Sequence, residues 1–118
     1  MGVIVEKNFF ESKAEVYEDL SRTGFWPTTF VSGPSEGLKP HWHSEEVQAY
    51  VLEGETSFLD VESGEDLAIS QGDKVIVPAQ TLHAEGAVKD RIVYIIAVPE
   101  PLESDKFLVL RDPEDLPT

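Results

Sequence analysis

From residue 37 onward, short apolar and β-branched stretches alternate with breaks rich in glycine and acidic residues. Residues 47–52, 56–61, 66–69, 74–77, 81–87 and 91–98 read as strands. Glu53-Gly54-Glu55, Glu62-Ser63-Gly64-Glu65, Gln71-Gly72-Asp73 and Val88-Lys89-Asp90 read as the turns between them. Short strands at this spacing, joined by glycine-containing turns, predict an all-β barrel or sandwich. Residues 92–98 (IVYIIAV) are apolar on both strand faces and predict a central strand covered on both sides. Upstream, residues 25–31 read as a strand and 32–37 (SGPSEG) as a loop. Val16, Tyr17 and Leu20 fall at near-helical spacing and predict a short helix over 14–20. Residues 3–10 and 106–110 are expected to be edge strands, and 112–118 a polar tail.

The length changes the picture only by limiting it. With 118 residues and no internal repeat, the chain is expected to form one domain, 1–118. No apolar run approaches the roughly 20 residues of a membrane span, and the N-terminus lacks a basic segment followed by an apolar one. A cytoplasmic location and no membrane partner are therefore expected. The formal net charge of −14 opposes binding to a phosphate backbone, so no nucleic-acid partner is expected. The absence of cysteine excludes disulfides, thiolate metal sites and thiol catalysis. Any metal must be held by nitrogen and oxygen.

All three histidines lie in two short segments, His41-Trp42-His43 and Thr81-Leu82-His83-Ala84-Glu85. In extended chain, residues two apart share a face. His41 and His43 then point one way, and His83 and Glu85 point one way. Converging, three imidazoles and a carboxylate suit a divalent transition metal. Glu45 and Glu46 read as solvated acids. Trp42, Phe30, Tyr50, Phe58 and Tyr94 are candidates for the barrel wall.

These two segments resemble the paired motifs of the cupin superfamily. The stretch GLKPHWHSEEVQAYVLEG, residues 37–54, is similar to the first motif, G(X)5HXH(X)3,4E(X)6G. The stretch GDKVIVPAQTLHAEGA, residues 72–87, is similar to the second, G(X)5PXG(X)2H(X)3N. Four positions depart from the pattern. Ser35 stands where the leading glycine is expected, Gln80 where the second motif has glycine, and Ala87 where it has asparagine. The usual acidic ligand is replaced by Val47 when counted back from Gly54, or by Gln48 when counted forward from His43 at the longer spacing. Some small cupins use glutamine there, and the pirin branch uses a glutamate in an H-X-E pattern like His83-Ala84-Glu85. The resemblance thus leaves the fourth ligand between Gln48 and Glu85.

The resemblance implies a cupin-type jelly-roll β-barrel (a double-stranded β-helix). Inside it, one divalent transition metal ion (Zn, Ni, Fe or Mn) is expected on His41, His43 and His83. The expected function is metal-assisted chemistry of isomerase, lyase or dioxygenase type on a small oxygen-rich metabolite, with Glu85 also a candidate proton carrier. The competing expectations are a non-catalytic sensor that binds a small molecule, and a degenerate cupin without metal. A homodimer is expected as well, with residues 3–10 as a candidate for exchange between subunits.

Overall fold

The computed structural model describes residues 2–103 and 105–116. The elements in chain order are β1 (Ile4–Glu6), α1 (Lys13–Thr23), β2 (Trp26–Ser32), β3 (Val47–Glu53), β4 (Glu55–Asp60), β5 (Glu65–Ser70), β6 (Lys74–Val77), β7 (His83–Glu85) and β8 (Ile92–Val98), with a 3-10 turn at Pro113–Asp115. They form the expected all-β architecture: a five-stranded sheet in the order β1-β6-β3-β8-β2 and a three-stranded sheet in the order β5-β4-β7. Every strand pair is antiparallel. Among the described residues, no helix is long and apolar enough to cross a membrane.

Strand register sets the two faces of the larger sheet. Ala49 pairs with Ile96 and Val51 with Tyr94, and these side chains join Val47, Phe58, Val75 and Ile92 in the core between the sheets. The alternate residues Tyr50, Ile95 and Ala97 face outward, where Phe10, Val16 and Leu20 cover them. The doubly apolar β8 is therefore covered within the chain, by the core on one side and by α1 on the other.

Helix α1 is longer than its apolar spacing predicts because both ends are capped. Ser12 Oγ accepts from the N–H of Glu15 at 3.4 Å. Gly24, at φ 74°, ends the helix in the left-handed region and donates to the Leu20 carbonyl at 2.8 Å. A buried polar cluster ties the helix to the sheet. Lys74 Nζ and the Tyr50 hydroxyl donate to the same Asp19 oxygen, at 2.6 and 2.5 Å. Burial opposes charge on Asp19, but its contacts with Lys74 and Tyr50 outweigh it and hold the carboxyl below the usual range.

Two expected edge strands are corrected by the structure. Pairing in residues 3–10 stops at Glu6, because Asn8 adopts φ 52° and donates its N–H to Asp73 Oδ1 at 2.9 Å, turning the chain away from β6. Residues 106–110 form no strand: 106–108 lie in a turn, with Leu108 at φ 54°, and 109–110 are irregular. Beyond them, Arg111 makes only an isolated bridge to Trp42. The β3–β4 hairpin depends on Gly54: at φ 91°, an added Cβ would lie 2.3 Å from the Arg91 carbonyl oxygen.

Candidate metal centre

His41 and His43 lie in the segment between β2 and β3. His41 exchanges both backbone hydrogen bonds with His83, at 2.9 and 3.0 Å. Residues directly opposed in an antiparallel bridge share a face, so this bridge stacks the two histidine segments side by side. The ring centroids are 4.4 Å apart for His41 and His83, and 5.1 Å apart for both pairs that include His43. The three rings are buried, and Phe58 lies parallel to His83 at 6.1 Å.

Backbone carbonyls fix all three rings. His41 Nδ1 lies 2.7 Å from the Lys39 carbonyl, His43 Nδ1 2.9 Å from that of Val109, and His83 Nδ1 2.9 Å from that of Thr81. A carbonyl only accepts, so each Nδ1 carries the proton and each Nε2 keeps its lone pair. An imidazole that ligates a metal through Nε2 has that tautomer. Glu85 completes the group: one carboxylate oxygen is 3.2 Å from His41 Nε2 and the other 3.4 Å from His83 Nε2. One ligand atom from each of His41, His43, His83 and Glu85 falls within 4.8 Å of all the others.

This gathering is unsatisfied as it stands. His41 Nε2 and Glu85 Oε2 are buried without a hydrogen-bond partner, because with the proton on Nδ1 both atoms are acceptors. Burial opposes charge on Glu85, yet the neighbouring His41 and His83 hold its carboxyl well below the usual range. Burial also disfavours a charged His41, but Glu85 outweighs it and raises the imidazole's pKa. For His43 burial wins and lowers it. A divalent cation among these four groups would supply the missing positive charge without protonating the rings. Three imidazole nitrogens and one carboxylate oxygen are a donor set that such an ion accepts.

Gln48 is not brought into this group. It sits on the face of β3 shared with Tyr50, whereas Val47 and Ala49 face the interior. Its Nε2 donates to Glu46 Oε2 at 2.7 Å, and its buried Oε1 has no hydrogen-bond partner. Glu45 accepts from Ser44 and stands outside the group as expected. Gln80, in place of the second motif's glycine, adopts φ 60°, a conformation that explains the pattern's preference for glycine. Its N–H donates to the His43 carbonyl at 2.9 Å.

The C-terminal strap was missed by sequence reasoning as part of the site. Besides the Val109 carbonyl on His43, the Trp42 indole N–H donates to the Asp112 carbonyl at 2.8 Å. Trp42 and Arg111 exchange backbone hydrogen bonds, and the Arg111 guanidinium lies 5.5 Å from the Trp42 ring centre. Phe107, Leu108 and Leu110 wall a cavity of about 420 Å³ that opens onto His43, His83 and Glu85. Phe30, Phe58 and Tyr94 line this cavity as expected. Trp42 packs under the strap instead, and Tyr50 lies beneath α1.

The fold and site together define a small antiparallel barrel with an internal histidine–carboxylate cluster. The cupin domain description matches residues 29–99, and the chain belongs to that family. Solved structures are similar in fold. A DUF861 family protein from Thermotoga maritima is 21% identical, with 81% of this chain and 98% of that one covered and a TM-score of 0.59. The polyketide cyclase RemF from Streptomyces resistomycificus is 23% identical over 70% of this chain and 65% of its own, with a TM-score of 0.55. A putative mannose-6-phosphate isomerase from Ralstonia eutropha is 13% identical over 84% of this chain and 85% of its own, with a TM-score of 0.58. No curated protein matches the sequence.

Proposed function

We propose that the chain is a metal-dependent cupin in which His41, His43, His83 and Glu85 hold one divalent transition metal ion. The observation that carries this reading is the common orientation of the rings. Each Nδ1 is tied to a carbonyl, so that the three Nε2 atoms and the Glu85 carboxylate are left facing one another. The bound ion would act as a Lewis acid on an oxygen of a small molecule in the adjoining cavity. The chain's own residues hold the rings in one tautomer, keep the cluster out of bulk water, and set a carboxylate beside the reacting group. Glu85 has two roles open to it here, as fourth ligand or as proton carrier at its Oε2. We assign it the first, because its carboxylate contacts two of the three imidazoles.

Similar folds carry a polyketide cyclase and a putative isomerase, so the fold accommodates isomerase-type chemistry without selecting a reaction. Elemental analysis of tag-free protein is the test. About one transition metal per chain is expected, and His41→Ala or His83→Ala should remove most of it while leaving the barrel folded. Glu85→Gln should weaken retention more than Gln48→Ala. Less than a tenth of an equivalent, not restored by Zn, Ni, Fe or Mn, would sink the reading in favour of a cupin that has lost its metal.

A further inference from the structure

The wall of the cavity is more informative about the guest than the cluster is. Besides His43, His83 and Glu85, it is built mainly of aliphatic and aromatic side chains from both sheets and the strap. Its few other polar side chains are almost all spent on the protein's own backbone. Thr56 Oγ1 donates to the Ala87 carbonyl at 2.9 Å, Ser35 Oγ accepts from the Gly37 N–H at 3.0 Å, and Ser32 Oγ donates to the Gly33 carbonyl at 3.1 Å. Among the described lining residues, the Tyr94 hydroxyl makes no hydrogen bond and the Ser35 hydroxyl keeps its O–H uncommitted. No lysine or arginine is among the described residues that line the cavity.

A polyhydroxylated guest would therefore bury several hydroxyls without partners, each a penalty that a sugar-binding site avoids by supplying donors and acceptors. A phosphate or a second carboxylate would meet no counter-charge from the wall. An apolar guest meets neither cost. A cavity of roughly 150 Å³ holds one benzene, so about 420 Å³ has room for one or two rings.

We propose that the cavity takes a largely apolar, ring-bearing small molecule that presents a single oxygen-bearing head to the histidine–glutamate cluster. This departs from the oxygen-rich metabolite expected from the sequence. The head of the guest rests on the metal reading above, but its apolar body rests on the wall alone.

A hydroxamate series on metal-loaded protein, followed by calorimetry, separates head from body. Acetohydroxamate, benzohydroxamate, 2-naphthohydroxamate and gluconohydroxamate share one metal-binding head and differ in tail. Replacing the methyl tail by phenyl adds on the order of 100 Å² of apolar surface and should tighten binding roughly 10- to 100-fold. The naphthyl tail should bind at least as tightly as phenyl, and the gluconyl tail no more tightly than methyl. Equal affinities, or tightest binding by gluconohydroxamate, would overturn the proposal. Should the protein hold no metal, the metal reading fails, and 2-naphthol fluorescence with metal-free protein decides the body. Saturable binding that Ala49→Phe weakens supports an apolar guest, and no binding to the unmodified chain overturns it. If that variant does not fold, competition of naphthol by toluene but not by glucose replaces it.

Discussion

Replacing Lys74 by methionine should be among the most damaging single changes outside the site, and its size follows from the cluster beneath α1. The side chains of Asp19 and Lys74 are only 9% and 6% exposed, and they meet at 2.6 Å. Methionine fills the lysine's volume but leaves Asp19 charged and buried. Removing one partner of a buried pair costs about 3–5 kcal/mol. The Tyr50 hydroxyl and Arg22, at 3.2 Å, remain on Asp19, so we expect the lower end, about 3 kcal/mol. At about 2.1 cal/mol/K per residue, 118 residues give an unfolding entropy near 0.25 kcal/mol/K, and the loss becomes a fall in Tm of about 12 °C.

Urea denaturation at pH 7 measures it, and pH identifies the cause. In the unmodified protein Asp19's folded pKa is depressed, so the pair contributes stability above the unfolded value near 3.9 that is lost as pH falls through the folded value. In Lys74→Met burial is opposed only by the Tyr50 and Arg22 contacts, so that pKa is less depressed and less stability is lost as the carboxyl protonates. The difference between the proteins should therefore shrink on acidification. Replacing the whole cluster (Asp19→Leu, Tyr50→Phe, Lys74→Met) should recover most of the loss. A single variant within about 0.5 kcal/mol of the parent, or a triple variant less stable than the single, would refute the reasoning.

Three further outcomes can be checked with simple variants. Gln80→Gly should stabilise the protein by about 0.5–1 kcal/mol in the same urea assay, since it relieves a left-handed backbone at φ 60°. Ending the chain after residue 104 removes the Val109 carbonyl from His43 and should weaken metal affinity by about 10- to 100-fold in a chelator competition, with the barrel's circular dichroism retained. We also expect a homodimer at micromolar concentration. Strand β2 lies at the sheet's edge with Trp26, Phe30 and Val31 exposed. Sedimentation of Val31→Lys should show a shift toward monomer, and a monomeric parent protein would reject the expectation.

Strand positions were legible because each is bounded by a turn residue whose backbone has few alternatives, as at Gly54 and Gly72. The ligand gathering was legible because two-residue spacing survives even outside regular strand, as His41 and His43 show. The choice between Gln48 and Glu85 was not, since a one-residue difference in count moves a side chain to the opposite face of β3, and only strand pairing decides it. The strap was hidden for a different reason. It acts on His43 and Trp42 through the carbonyls of Val109 and Asp112, and a carbonyl is the same in every residue. The Asp19–Tyr50–Lys74 cluster joins three elements whose meeting depends on tertiary packing and leaves no local pattern.

The strap has one more consequence. All four clustered residues lie inside the 29–99 region shared across the family, whereas Phe107, Leu108 and Leu110 lie outside it. On the proposed function, part of the wall that selects the guest is thus carried by a stretch of chain that holds none of the four clustered side chains. On that reading, side-chain substitutions at Phe107, Leu108 or Leu110 would reshape the guest's berth while leaving the Val109 carbonyl on His43. A lineage can change what it accepts by exchanging a faceplate over a constant socket.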